Sequence, residues 1–217
     1  MDWDWQYSGD ILPDLLSGLR YTVVATLAGY VIAIVLGLVW TLLRRSPSRV
    51  FNQAIRWITE FIRSTPLIPQ LYFVFFVLPA WGLTIGSLTA GIITLGVHYS
   101  TYTAEVYRAG IADVPKGQWE ACTALNLPRS RVWLDVILPQ AIRRVIPTLG
   151  NYLIAMFKDS PMLLAINVAE LLFSAYKVGS QSLQFLEPIT LVGLLFVVVS
   201  VISSILVRRL ERRYATT

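Results

Sequence analysis

The segment Glu120–Pro139, EACTALNLPRSRVWLDVILP, is a polar, amphipathic island in a chain otherwise built of long apolar runs. Those runs are long enough to cross a bilayer, so a short helical element flanked by Pro115 and Pro128 is expected to lie at the membrane face and present charge to a partner. Within it, one short helix is predicted from about Pro115 to Leu125, a turn at Asn126, and a second helix opened by Pro128 in its first turn.

The surrounding composition supports that setting. Of 217 residues, 55% are hydrophobic and 14% charged, well below the roughly 25% charge of ordinary soluble domains. The reading is an all-α, polytopic membrane bundle filling residues 1–217, with room for about five or six spans and no separate soluble domain. A net charge of +5 could mean nucleic acid in a soluble protein, but here the cations report membrane topology and no nucleic-acid partner is expected. The single cysteine, Cys122, and single histidine, His98, leave too few ligands for a metal site.

The N-terminus carries Asp2, Asp4, Asp10 and Asp14 with no basic region, so a cleaved signal peptide is not expected, and Trp3, Trp5 and Tyr7 suit a headgroup belt. Spans are expected at about 18–43, 57–79, 88–110, an interrupted 141–169, and 188–208. Gly29 and Gly37 in the first either allow close helix contact or are the usual glycine content of membrane helices. Near the start of the second, Pro66 and Pro69 disrupt the helix and Gln70 is polar within an apolar run. Glu60 and Arg63, and again Glu105 and Arg108, are acid and base at i, i+3; they read as structural ion pairs near the interface, with a gating role as the alternative.

The fourth run, Val145 to Phe157, is too short to span and is followed by Lys158, Asp159, Ser160 and Pro161 before Met162–Ala169. Charges and a proline inside apolar sequence are tolerated where they line a cavity, which makes a transport pathway one reading and a helix end at the interface the other. Glu170 is as compatible with an extracytoplasmic interface as with ligand contact, and 176–187 reads as a polar loop.

Most of the 18 Lys and Arg fall in three clusters: Arg44 to Arg56, the 108–144 segment, and Arg208 to Arg213. All belong to one side, so the positive-inside rule places the N-terminus outside, the C-terminus inside, and 113–139 in the cytoplasm. No internal repeat is evident, so a symmetric pore needs a second subunit.

On these residues the chain resembles bacterial ABC importer permeases. Glu120–Ala121 and Ile137–Leu138–Pro139 are similar to the family's EAA loop, with Cys122 in place of the third small residue and Asn126 in place of its glycine. GLRYTVVAT from Gly18, EFIRSTPLIPQLYFVFFVLP from Glu60, TAEVYRAGIADVPKGQWEA from Thr103, LPQAIRRVIP from Leu138 and NYLIAMFKDS from Asn151 extend the likeness to the polar amino-acid uptake subfamily. Where that family has a KDTSL-like stretch, this chain has Lys158, Asp159, Ser160, Pro161 and Met162.

The resemblance implies a five-span type I importer permease in the bacterial inner membrane, with a cytoplasmic coupling helix. Lys116, Gly117, Trp119, Glu120, Ala121, Cys122, Ala124, Leu125 and Asn126 would couple to a partner ATPase, moving as a rigid body when it closes. No GxxxxGK[ST] phosphate loop occurs, so the chain is expected to be no enzyme and to bind no cofactor, with ATP and Mg held by two copies of that partner. A second permease subunit, identical or paralogous, an extracytoplasmic solute-binding protein and the bilayer complete the expected partners.

For a small zwitterion or cation, the plausible lining residues are Thr22, Thr26, Thr65, Gln70, Tyr99, Asp159 and Ser160, each hydroxyl having a backbone hydrogen bond as its alternative. The solute is an amino acid by family, with ectoine-like or opine-like compounds left open. Two other functions compete: a channel or scaffold without ATP coupling, which has no need of a docking island, and an intramembrane enzyme. The scattered Glu60, Glu105, Asp159 and Glu170 form no catalytic constellation for the latter.

Overall fold

The computed structural model describes residues 3–214, so Asp2 of the acidic N-terminus lies outside the described residues, and every described element is helical. α1 (Trp5–Leu43) begins at Asp4, whose carboxylate accepts from the Tyr7 amide, and runs unbroken through Pro13 for 39 residues. It therefore starts well before the expected span. Asp4 closes its first turn with a capping bond worth about 1 kcal/mol.

α1 packs along α4 (Ser87–Ala112), and small residues set the approach. A Cβ at Gly37 would press into the Thr103 hydroxyl and lie 2.9 Å from the Ser100 carbonyl oxygen; one at Gly96 would lie 2.6 Å from Ile32 side-chain carbons. This favours close contact over incidental glycine content. The proximity lets Thr103 Oγ1 donate to Ala33 O at 2.7 Å, Tyr107 Oη to Ile34 O at 3.1 Å, and Trp40 Nε1 to Ser100 Oγ at 3.0 Å. Gly37→Leu is therefore expected to cost at least about 2 kcal/mol by overpacking, read as a lower unfolding midpoint in detergent. Gly193→Leu, where a Cβ meets nothing within 4 Å, should leave the midpoint unchanged.

The second expected span is not one helix. α2 (Arg49–Ser64) is capped by Ser48 and ends at Thr65, and the chain turns by 105° into α3 (Leu67–Tyr72), which continues as a π turn, Phe73–Val77, and a 3-10 turn, Leu78–Trp81. The physical reason is Pro66: it holds Thr65 extended (φ −91°, ψ 130°), as a residue before proline prefers. The apolar run from Trp57 thus merges part of an amphipathic helix with a membrane-directed one.

α5 (Lys116–Ala124), the short α6 (Arg129–Arg131) and a π turn, Val132–Ile137, form the island, and α7 (Leu138–Asp159) follows directly. α7 is continuous through Lys158 and Asp159, so the expected interruption moves downstream, to a 3-10 turn at Ser160–Ile166 started by Pro161 and ended by Asn167 at φ 56°. The short run Val145–Phe157 is only the middle of this helix.

The expected polar loop at 176–187 is largely α8 (Leu171–Ser182). Leu171, Ala175 and Val178 recur at i, i+4 and i+7, and this stripe packs with Ile11 and Leu15 of α1 and Val192 of α9 (Leu186–Tyr214). Glu170 is fully buried and caps α8, accepting from the Leu172 and Phe173 amides at 2.8 and 2.7 Å.

A central core joins Ala25, Leu67, Leu71, Leu95, Met156, Leu163 and Ile166 from α1, α3, α4, α7 and the 3-10 turn. Outward faces are apolar instead: Val31, Val35 and Leu38 of α1 and Leu194, Val197 and Val201 of α9 are exposed, as lipid-facing residues are. Among the described residues, α1 and α9 are each long and apolar enough to cross a membrane; α2 with α3, and α6–α7 with α8, qualify only as bent pairs. α4 is a 26-residue helix rich in buried polar residues, including Thr94, His98, Ser100, Thr101 and Thr103.

Candidate functional sites: a docking island and an intramembrane polar cluster

The island has the bent shape its sequence predicts. α5 opens after Pro115 and closes with Asn126 in the left-handed region, φ 49°, after which Pro128 starts α6. Asparagine stands there because its short polar side chain tolerates that conformation, so the bend does not need glycine. Asn126→Gly is expected to leave stability within about 0.5 kcal/mol of the parent, while Asn126→Val should cost roughly 1–2 kcal/mol; unfolding midpoints of the two variants check this.

The island is fastened to the bundle by one face. Val114, Ile137 and Ala141 are buried together with Trp119, Val132 and Trp133 around them. The Trp119 and Trp133 rings meet edge to face at 5.3 Å, and the Arg45 guanidinium, just beyond α1, lies 4.2 Å from the Trp133 ring centroid. Burial lowers the Arg45 pKa from its ordinary value, while the ring face attracts the cation it remains. Arg144 of α7 pairs with Asp113 at 3.1 Å.

Other predicted residues divide accordingly. Trp119 and Cys122 face inward, whereas Lys116, Gly117, Glu120, Ala121, Ala124, Leu125 and Asn126 are exposed, Leu125 at 72%. Such an apolar residue among charges on a rigid, anchored helix has the makeup of a protein-docking surface.

The second cluster lies within the bundle. Tyr99 Oη of α4 donates to Asp159 Oδ2 of α7 at 2.6 Å, and no other hydrogen bond or ion pair reaches that carboxylate among the described residues. Asp159 thus engages a tyrosine rather than its neighbour Lys158, which is exposed. His98 Nδ1 lies 3.2 Å from Gln70 Oε1, and Gln70 Nε2 donates to Ile62 O and Thr65 O at 2.6 and 2.9 Å, bracing the α2–α3 turn. Gln70, Thr65 and Thr94 edge a cleft of about 530 Å³ otherwise walled by apolar side chains such as Phe61, Phe73, Ile93 and Val97.

Three aromatic rings escaped the sequence reading as site residues. Tyr102 stacks near His98, Tyr99 and Tyr152 at centroid distances of 5.4, 5.8 and 5.7 Å. The signal was present: His98, Tyr99 and Tyr102 are at i, i+1 and i+4, on one side of a helix. Together the rings and Asp159 offer an electron-rich, anionic surface suited to an ammonium or guanidinium.

The remaining candidates sit elsewhere. Thr22 Oγ1 accepts from the Leu171 amide at 3.1 Å and so ties α1 to the start of α8; Thr26 is fully buried one turn on. Thr65 and Ser160 donate to Phe61 O and Phe157 O, the local backbone alternative for hydroxyls. Glu60 pairs with Arg63, and Glu105 with Arg108 at 2.7 Å; Glu105 also binds Arg44, joining α4 to the end of α1.

Comparison with known proteins gives the class: the chain belongs to the family described as binding-protein-dependent transport system inner membrane component, which matches residues 29–216. It is 44% identical over 198 residues to a probable amino-acid ABC transporter permease of Sinorhizobium fredii (strain NBRC 101917 / NGR234), covering 91% of this chain and 86% of the relative. It is 32% identical to the arginine transport system permease ArtQ of Bacillus subtilis (strain 168) over 214 residues, 98% of each chain. Among solved structures, an amino acid ABC transporter with histidines matches with TM-score 0.93 at 32% identity, over 98% of this chain and 100% of that one. The inward-facing methionine transporter MetNI matches with TM-score 0.71 at 20% identity, over 99% of this chain and 100% of that one, and shares the fold. The chain is thus a membrane-embedded permease subunit of a binding-protein-dependent ABC importer, a transporter rather than an enzyme. Membership of the family implies ATPase and solute-binding partners in general.

Proposed function

We propose that this subunit forms the inner-membrane path of a bacterial importer for a polar amino acid or a related small zwitterion carrying a cationic group. The observation that carries the reading is the Tyr99–Asp159 pair beside the rings of His98, Tyr102 and Tyr152, in which no cationic side chain pairs with the carboxylate among the described residues. Thr65 and Gln70, which edge the neighbouring cleft, would flank this path, with Ser160 fully buried in the turn after Asp159 and Thr22 and Thr26 holding α1 in place.

The chain would act as one transmembrane unit over 1–217, crossing five times with its N-terminus outside and C-terminus inside. α4 is then a span despite its polarity: its buried hydroxyls are spent on backbone carbonyls, as those of Thr94 and Thr101 are. Two ATPase subunits, holding the ATP and Mg that this chain does not, would engage α5 from the cytoplasm through Lys116, Gly117, Glu120, Ala121, Ala124, Leu125 and Asn126. Trp119 and Cys122 would transmit the movement inward through Trp133. The Glu60–Arg63 and Arg44–Glu105–Arg108 pairs would clamp the helix ends. A second permease subunit and an extracytoplasmic solute-binding protein complete the assembly.

Ligand binding to the co-purified solute-binding protein, followed by competition for uptake, tests the substrate class. A cationic or zwitterionic amino acid or related solute is expected to compete; competition only by neutral sugars or by dicarboxylates would contradict it.

A further inference from the structure

We propose that α2 lies in the plane of the bilayer interface and that the arginine-lined recess beside it holds the phosphate headgroup of an anionic glycerophospholipid. The inference rests on the membrane embedding of the family and is independent of which solute is carried.

Arg49, Gln53, Arg56, Glu60 and Arg63 fall at i, i+4, i+7, i+11 and i+14, a single polar stripe along α2. Opposite it, Val50, Phe51, Trp57, Ile58 and Phe61 are exposed, at 82, 42, 67, 46 and 74%. Only Ile55 and Thr59 of this helix are buried against the bundle. The 105° turn at Thr65–Pro66 sets α2 across the direction of α3. α2 packs against α1 and α4 and lines one cavity with Arg44 and Arg108, which places it level with the ends of those helices. A transverse helix with a basic polar face and an aromatic apolar face at that depth has the form of an interfacial helix.

The recess adds a specific headgroup. Arg44 follows the last residue of α1, Arg108 comes from α4, and Arg56, Thr59, Glu60 and Arg63 from α2; with Glu105 they line a cavity of about 270 Å³. Arg44 and Arg108 share Glu105, Arg63 takes Glu60, and Arg56 makes no ion pair among the described residues. The guanidiniums outnumber the carboxylates, and their planar forks match phosphate oxygens in pairs. A groove of about 460 Å³ that shares Arg56, Glu60 and Arg63 with it reaches Gln53 and Trp57, so the charged recess borders the edge of the apolar face, where the acyl chains of a lipid held by its headgroup would lie. A free anion would account for the recess but not for that face. A second copy packed there two-fold would bring the arginine stripe beside its own equivalent, a like-charge contact.

The assembled importer, reconstituted in nanodiscs of phosphatidylcholine with phosphatidylglycerol and then examined by native mass spectrometry, tests this. The parent complex is expected to retain phosphatidylglycerol through detergent release, and Arg56→Gln with Arg63→Gln to retain at least about fivefold less, with phosphatidylcholine retention unchanged; Arg56→Gln alone should show the same direction. Equal phosphatidylglycerol retention by parent and variants would overturn the proposal. Displacement of the lipid by millimolar inorganic phosphate would reassign the recess to free anions and overturn it as well. A photo-crosslinking residue in place of Trp57 should label lipid; labelling of a second permease subunit would show that a copy covers this face.

Discussion

Asp159→Ala is expected to reduce ATP-driven uptake at least about 30-fold while the importer complex still assembles. The carboxylate sits within the bundle, half-buried, accepting from Tyr99 and without an ion pair among the described residues. Truncating one partner of a desolvated charge pair typically costs 2–5 kcal/mol, and in transport that loss falls on the loaded path. The informative companion is Asp159→Asn, which keeps an oxygen for the Tyr99 hydroxyl but removes the charge. If the charge receives the solute's cationic group, Asn fails nearly as badly as Ala. If Asp159 serves only to hold Tyr99, Asn restores uptake and the pathway role is lost. Uptake into reconstituted vesicles, with assembly followed by co-purification, separates the two.

Glu120→Lys should abolish substrate-stimulated ATP hydrolysis or release the ATPase subunit, with association weakened at least about 30-fold. Glu120 is exposed on α5 and makes no ion pair among the described residues, so reversing its charge leaves the permease fold alone; surface changes of this kind stay within about 0.5 kcal/mol. At a docking surface the same reversal puts like charge where opposite charge was accommodated, a penalty of several kcal/mol. Co-purification and stimulated ATPase activity measure it. Retention of both would remove this helix from the docking surface.

The island was legible because polarity inside apolar sequence is rare, and because Pro115, Asn126 and Pro128 mark its ends through backbone physics alone. α2 was misjudged for the opposite reason. An average over Trp57 to Leu78 reports apolar content and hides the stripe from Arg49 to Arg63, which only a period of 3.6 reveals. α8 was lost in the same way, its Leu171, Ala175 and Val178 stripe diluted by Lys177, Ser180 and Gln181.

The polar cluster was half legible. Tyr99 and Asp159 could each be suspected, one as a hydroxyl and one as a charge in apolar surroundings, but their bond spans 60 positions and no local pattern encodes such a pairing. Tyr152 belongs to the same class: it joins the aromatic group from α7 only once α4 and α7 are packed. Glu170 illustrates the converse. A charge in an apolar context suggested a site, and the structure gives it the structural task of capping α8.

Solute is expected to cross this permease only when a partner ATPase drives it through α5. Uptake of labelled amino acids into proteoliposomes holding the permease and its ATPase, with ATP enclosed and the solute-binding protein added outside, tests it most directly. Accumulation is expected to require the ATPase, ATP and the solute-binding protein together and to disappear with Glu120→Lys in α5; equal solute flux without ATP would show that α5 does not couple transport to the ATPase.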